Sequence, residues 1–417
     1  MKIGILTHYF HSLNYGGMLQ AYALARYLNQ KGYKAEQISY AYSSDPFIPR
    51  QGQGTIRQQE IQKNLLIKVC KRIYRSLKYR LFDKQCEKYY AGYKQTVIPR
   101  RAVKFSAFQE QVPHSKKICD PQSVDEVIKE YDFLITGSDQ VWNFTWFNPA
   151  FFLDFEDCSA KKIAYAASTG KTEFCEKEEQ YLKRTLAGFD AISVREFDMA
   201  EKLNNMLQTD SVEQTIDPTL LLTLDEWDEI ASPRLIQDKY LFCYFLHNNR
   251  ELNKLARRFA RKHHLHIAMI PFPGIEYNVS DIMMCAKYRF HEADPSDFIS
   301  LIKHAEYVFT DSFHATVFSL LYEKQFVSFP RDDAKGMTSR LSTLAALFDC
   351  EERVCSSDAR RSLDYIDALP EYRQRSAEMP VERARQRSIA FLSRALGSNS
   401  KGIGSCYARD FCDHPGI

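Results

Sequence analysis

The sequence predicts an α/β protein made of two Rossmann-like doubly wound domains that face each other across a cleft. Three observations lead there. Short apolar runs of parallel-strand type recur along the chain. Helical stretches of ten or more residues separate them, as parallel crossovers require. The alternation breaks between Thr223 and Lys239, at Pro233 and several charges, and then restarts. With 417 residues the chain is long enough for two cores.

The elements follow in order. KIGIL (Lys2 to Leu6) is a strand, and the opening MKIGILTHYF has too short an apolar run for a signal peptide. A helix from Gly17 to Asn29 carries Leu19, Tyr22, Ala23 and Leu28 at helical spacing, and KAEQISY (Lys34 to Tyr40) closes a βαβ unit. A helix near Val124 to Glu130 precedes DFLITG (Asp132 to Gly137). KKIAYAAS, DAISVRE and the segment leading into DPTLLL supply further strands. Beyond the break come KYLFCYFL (Lys239 to Leu246), a helix from Arg250 to His263, and LHIAMIP (Leu265 to Pro271). A helix from Ser296 to Ala305 leads into the strand AEYVFT, and Gln325 to Phe329 is a strand. Helices near Thr338 to Phe348 and Val381 to Leu396 end the order. The expected division is 1–230, 231–397 with its last helix packing back on the first domain, and a Gly/Ser-rich tail at 398–417.

Composition narrows the function classes. A formal charge of +3 is too small for a general nucleic-acid binder, so no nucleic acid is expected. No run of eighteen apolar residues is present, so no membrane span is expected. The eleven cysteines form no C-x-x-C pair and no zinc-like spacing; no metal is expected, and a reduced, cytoplasmic setting is.

One segment departs from the alternation. Arg50 to Lys104 holds fifteen Lys/Arg against three Asp/Glu, a net +12. Ile61, Leu65, Val69, Ile73, Leu77 and Leu81 recur every four residues within it, which predicts an amphipathic helix with a basic face. Two readings stand: a helical insertion of about 50–105 with its lysines in water, or a dock for anionic lipid or a lipid-linked diphosphate on the inner membrane face.

Candidate site residues gather at strand ends, where open α/β sheets bind ligands. In TDSFHATVFSLLYEKQFVSF (Thr310 to Phe329), Asp311 and Ser312 are capping types, and the helix from Phe313 to Glu323 begins with a histidine. His314 therefore lies where helix N–H groups favour an anion, although a surface or capping role is as common there. HSLNYGGMLQAYAL places Asn14, Tyr15, Gly16 and Gly17 at another helix start. It fits neither a dinucleotide fingerprint nor a P-loop, and a tight turn with close packing would explain the glycines equally well. GSDQVWN offers Asp139, Gln140 and Asn143, with Trp142 as an apolar or sugar-stacking wall; Asp139 could instead cap the next turn. Arg195 ends DAISVRE and can hold a carboxylate, or pair structurally with Glu196. Asp217-Pro218 suits a turn. Lys335 and Arg340 follow the last strand within reach of a cleft.

Together NYGGMLQAYAL, ITGSDQVWN, AYAAS, ISVRE, DPTLLL and TDSFHATVFSLLYEKQFV stand in the order found in the polysaccharide pyruvyl transferases. The resemblance runs from Met1 to about Val354, apart from the basic insertion, and rests on several motifs jointly. It implies a fold like the two-domain GT-B glycosyltransferases. It further implies transfer of the pyruvyl group of phosphoenolpyruvate, a co-substrate and not a cofactor, onto two hydroxyls of a sugar. The product would be a cyclic ketal and the leaving group phosphate. Such enzymes modify exopolysaccharide, capsule or cell-wall glycans, often at a lipid-linked stage.

The resemblance gives His314 the donor site, as phosphate contact or general acid, and Arg195 the donor's carboxylate or phosphate, with Ser312, Lys335 and Arg340 beside them. Asp139 would orient or deprotonate an acceptor hydroxyl, and Asn14, Tyr15, Gly16, Gly17, Gln140 and Asn143 would line the acceptor side. Two departures stand out. Ala315 follows the histidine where many relatives have glycine, and the family's later lysine could correspond to Arg331, Lys335 or Arg340. The rival reading is a GT-B-type glycosyltransferase using a nucleotide sugar; a non-enzymatic scaffold for glycan assembly at the membrane is the third.

Overall fold

A computed structural model describes residues 1–42, 96–246, 249–271, 284–331, 335–357, 359–373 and 380–397. The basic helix expected over 61–81 and the tail at 398–417 lie outside the described residues.

Two parallel sheets organise the chain. The first contains β1 (Lys2–Leu6), β2 (Lys34–Tyr40), β3 (His114–Cys119), β4 (Phe133–Thr136), β5 (Lys161–Ala167), β6 (Ala191–Val194) and β7 (Glu213–Gln214), in the order β3-β2-β1-β4-β5-β6-β7. The second contains β8 (Tyr240–Tyr244), β9 (His266–Met269), β10 (Tyr288–Arg289), β11 (Tyr307–Thr310) and β12 (Gln325–Ser328), in the order β10-β9-β8-β11-β12. Every pairing between these strands is parallel. Each sheet thus reverses its winding once, between β1 and β4 and between β8 and β11. Crevices at the carboxyl ends of such reversals are where open sheets bind ligands.

Helices join the strands: α1 (Tyr15–Gln30), α2 (residues 96–109), α3 (Val124–Ile128), α4 (Glu176–Leu186), α5 (Phe197–Leu207), α6 (Leu224–Asp228), α7 (Arg250–Lys262), α8 (Pro295–Lys303), α9 (Phe313–Leu321), α10 (Lys335–Leu347), α11 (Leu363–Asp367) and α12 (Pro380–Ala395). The central strands are apolar on both faces because helices cover both; β4 and β8 are buried throughout. β3 is different. HSKKIC exposes Lys116 to Ile118 at the sheet's edge, so its run lacks the apolar signature and the sequence pattern passes over it. β10, of two residues, is missed for the same lack of signal.

One core runs through both sheets. Ile3, Met18 and Leu24 of the first belong to the same buried cluster as Phe242, Phe298 and Phe318 of the second. Tyr15 joins them, its ring stacked 4.8 Å from Phe298 and its hydroxyl donating to the Ala293 carbonyl at 2.8 Å. α12 returns to the first sheet. Its Ser388 hydroxyl accepts the Ile216 N–H at 2.9 Å, and Arg385 donates to the Leu220 and Leu222 carbonyls.

Candidate active site

Two helix N-termini, one from each sheet, converge on His314. Asn14 caps α1 by accepting the Gly17 N–H, and Ser312 caps α9 by accepting the Ala315 N–H. Asp311 is not the cap. Its carboxylate accepts the Leu246 N–H at 2.6 Å and ties the end of β11 to the end of β8. The glycine pair is what lets the helices approach. A Cβ on Gly16 would overlap the His314 imidazole, and one on Gly17 would overlap the His8 carbonyl oxygen. The histidine that begins α9 is therefore seated against the glycine that begins α1, buried except for 7% of its surface.

Asp217 organises the site beneath it. Its Oδ1 accepts the Thr219 N–H (3.0 Å) and hydroxyl (2.7 Å), capping the short turn Pro218–Leu220. Its Oδ2 accepts the Ser138 hydroxyl (2.8 Å) and Arg195 Nη1 (2.8 Å) and faces His314 Nε2 at 3.6 Å. Burial alone would raise this carboxyl. His314, Arg195 and Thr219 outweigh it and hold the group well below the usual carboxylate range. Sequence reasoning left Asp217 as a turn residue. The available signals were its place just beyond a strand end, shared with Asp139 and Arg195, and its position at the head of the DPTLLL motif.

Arg195 extends from the end of β6 with its guanidinium 4.2 Å over the Phe313 ring. Its Nε is 3.7 Å from Glu196 Oε1 and its Nη2 4.0 Å from Asp139 Oδ1, too long for hydrogen bonds. Nε, Nη2 and His314 Nε2 are all buried without a hydrogen-bond partner among the described residues. Glu196 accepts the Ser168 hydroxyl at 2.6 Å; burial pushes its carboxyl up, against the pull of Arg195 and Arg340.

Asp139 follows β4 at φ 77°, a left-handed backbone that an aspartate tolerates better than most residues. Its carbonyl accepts the Ser168 N–H at 3.0 Å, which links the loops after β4 and β5. Burial would raise its carboxyl, yet His314, Arg195, His8 and Arg340 together lower it. A carboxylate so held is a weak base and a good positioning group. With its amide oxygen turned toward α10, Gln140 accepts from both Arg340 terminal nitrogens, at 2.6 and 2.9 Å. Burial and the neighbouring Arg195 draw Arg340 down to about 10. His8, unmarked by the sequence reading, lies at the end of β1 with its ring nitrogens on Tyr42 Oη (2.9 Å) and the Gln140 carbonyl (3.3 Å).

The structure thus brings together His314, Arg195, Asp139, Gln140, Arg340, Gly16, Gly17 and Ser312. Asn143 lies beside Gln140 and caps the turn Phe144–Trp146. Tyr15 does not line an open face: its ring and hydroxyl are committed to packing between the sheets. Trp142 is a correction. Its backbone N–H donates to the Ser168 carbonyl, which turns the ring into the core against Phe152 and Phe189, fully buried and not a sugar wall. Lys335 opens α10, but its side chain lies outside the described part. Arg331 is half-buried and adds its positive charge to the field at Arg340. Among the described residues no cluster could hold a metal ion.

The fold has solved relatives. The chain is 12% identical to the UDP-GlcNAc 2-epimerase of Methanocaldococcus jannaschii over 94% of this chain and 100% of that one, with a TM-score of 0.55. The UDP-N-acetylglucosamine 2-epimerase of Rickettsia bellii is 11% identical over 95% and 96%, TM-score 0.54. That of Neisseria meningitidis, solved bound to UDP-GlcNAc, is 13% identical over 94% and 100%, TM-score 0.53. At such identity the likeness shows the GT-B fold alone. No curated protein matches the chain. The model of the family "Polysaccharide pyruvyl transferase" matches residues 14–333, a span that holds every group gathered around His314 except Arg340 and His8. The chain belongs to the polysaccharide pyruvyl transferase family, a family of transferases.

Proposed function

We propose that the chain transfers the pyruvyl group of phosphoenolpyruvate onto two hydroxyls of a saccharide, forming a cyclic ketal and releasing phosphate. The observation that carries the reading is a set of three buried nitrogens, Arg195 Nε and Nη2 and His314 Nε2, which face carboxylates at 3.6–4.0 Å but make no hydrogen bond among the described residues, at the N-terminus of α9. A ligand with a carboxylate and a phosphate supplies the oxyanions such a set requires.

The balance of the reaction assigns roles. A proton added to the methylene carbon makes C2 electrophilic. One sugar hydroxyl bonds to C2, the C2–O bond to phosphate breaks, and the second hydroxyl bonds to C2. Of the two hydroxyl protons, one replaces that given to the methyl group and the other leaves with phosphate. In this reading Arg195 and Arg340 hold the donor's oxyanions, and His314, positioned by Asp217, contacts the phosphate or delivers the proton. Asp139 orients the acceptor hydroxyl, with Gln140 and Asn143 beside it.

Incubation with phosphoenolpyruvate and a panel of saccharides tests this, read by phosphate release and by NMR of the ketal methyl group. His314→Ala should abolish both while leaving the fold intact, with one cooperative melting transition. Consumption of a UDP-sugar with phosphoenolpyruvate ignored would replace the proposal with the nucleotide-sugar reading. The lipid-linked acceptor stage rests on the basic segment, and flotation with anionic liposomes tests it. Equal binding after neutralising Lys68, Lys71, Arg72 and Arg75 would remove it.

A further inference from the structure

Helix α2 sends three neighbouring cations toward the second sheet, and they fare differently. Arg100 pairs with Glu292 at 3.4 Å and Lys104 with Asp297 at 3.4 Å. Arg101, between them, is 1% exposed, and its Nε and Nη1 have no hydrogen-bond partner among the described residues. No carboxylate among the described residues forms an ion pair with it. Instead its guanidinium lies over Tyr15, 4.9 Å from the ring centroid, and 5.4 Å from that of Phe105.

The position is informative. Tyr15 also meets Tyr244, the last residue of β8, with ring centroids 5.6 Å apart. Arg101 therefore flanks the carboxyl end of β8, at the winding reversal of the second sheet, where open α/β sheets take ligands. Its charge acts on Tyr244 and on His291. Contact with aromatic faces recovers only part of what dehydrating a guanidinium loses, and the facing segment, which offers Glu292 to Arg100 and Asp297 to Lys104, places no carboxylate among the described residues against Arg101.

We propose that Arg101 is a second oxyanion site, which binds a phosphoryl group of the acceptor and is separate from the cluster around Arg195. Tyr15 forms its floor while its neighbour Gly16 serves His314, so the two sites share one corner of α1. Because so little of Arg101 is exposed, an anion reaches it only when α2 and the end of β8 part, and binding is linked to that opening. The inference goes beyond the donor assignment and does not need it.

Calorimetric titration of the full chain with pyrophosphate, in wild type, Arg101→Met and Arg195→Met, is the test. Two classes of site are expected. Arg101→Met should weaken one by at least about tenfold, and Arg195→Met the other. Without anion, Arg101→Met should melt no lower than wild type, since it removes an unpaired buried charge. Phosphoenolpyruvate should displace pyrophosphate only from the class that depends on Arg195; displacement from both would overturn the acceptor assignment. If Arg101→Met melts lower and binds pyrophosphate as wild type does, Arg101 is a packing residue and the site does not exist. Wild-type protein crystallised in the presence of tungstate, with the anion bound before the lattice forms, gives an answer free of any folding defect, because the absence of an anomalous peak within hydrogen-bond reach of Arg101 also refutes it. A chain that ignores phosphoenolpyruvate yet needs Arg101 for pyrophosphate would lose the donor reading and keep this one.

Discussion

His314 Nε2 lies 3.6 Å from Asp217 Oδ2, and that same oxygen accepts Arg195 Nη1 at 2.8 Å. One buried carboxylate therefore joins a histidine carried by the second sheet to an arginine carried by the first. Asp217→Asn keeps the shape and removes the charge. With the buried guanidinium left short of its nearest anion, stability should fall by about 3 kcal/mol. The rate should fall at least about 100-fold, because the imidazole loses the group that fixes its orientation and tautomer. A conservative Asp217→Glu change that restores the charge but displaces the oxygens should recover stability more than rate. Urea melts and steady-state kinetics separate the two.

The pH dependence of that link has a definite sign. The folded Asp217 carboxyl is held below its unfolded value of 3.8, so its stabilising effect is fully present above that value. It is lost as pH falls from there through the folded value. Wild type and Asp217→Asn should therefore differ most near neutral pH, and their stabilities should converge in strong acid. A constant gap between urea midpoints across pH 6, 4 and 3 would contradict the assignment.

Gly16 and His314 form the second relationship open to test. Gly16→Ala should push the imidazole off its seat, destabilise the fold by about 1–3 kcal/mol and remove activity. In Gly16→Ala/His314→Ala the ring is gone and the methyl group has room. The double variant should be more stable than Gly16→Ala alone, a coupling of about 1–3 kcal/mol in a double-mutant cycle. Simple additivity would mean that the glycine serves the backbone only.

Trp142 separates a core role from a ligand role. Trp142→Ala should cost about 3–5 kcal/mol of stability, and Trp142→Phe less, because the ring is packed between Phe152 and Phe189. The KM for saccharide should stay near the wild-type value in Trp142→Phe. A large rise in that KM with an unchanged melting temperature would restore the sugar-stacking role.

The contrast between Trp142 and Asp217 shows what was legible in the chain. Strands such as FLIT and YLFCY announce themselves because both faces are buried, and the loops after them were rightly searched for polar groups. Direction is another matter. Trp142 and Asp139 stand three residues apart in one loop, and only the tie to Ser168 turns the ring inward while the carboxyl stays with Arg195. Asp217 is 22 residues from Arg195 and 79 from Ser138, its two nearest donors on Oδ2. A carboxylate defined by partners that distant looks, along the sequence, like any aspartate before a proline. His314 was legible because its helix start is a local feature, whereas the glycine it rests on became meaningful only when the two sheets met.

Arg340 offers a test in which stability and function should move apart. It is buried beside Arg195, and burial and that like charge together draw it down to about 10, so its charged form is held at a loss in the ligand-free chain. A group lowered in this way weakens the fold while it is charged, and the penalty shrinks as pH rises through the folded value toward the higher unfolded one. Arg340→Met should accordingly leave the melting temperature unchanged or raise it at neutral pH. The same change should raise the KM for phosphoenolpyruvate by about tenfold or more, since an anion loses a charge-assisted donor. The wild-type chain should gain more thermal stability from saturating phosphoenolpyruvate than the variant does. Melting curves of both proteins with and without the donor decide it: a variant that melts lower, and gains as much from the donor as wild type, would make Arg340 a structural partner of Gln140 and nothing more.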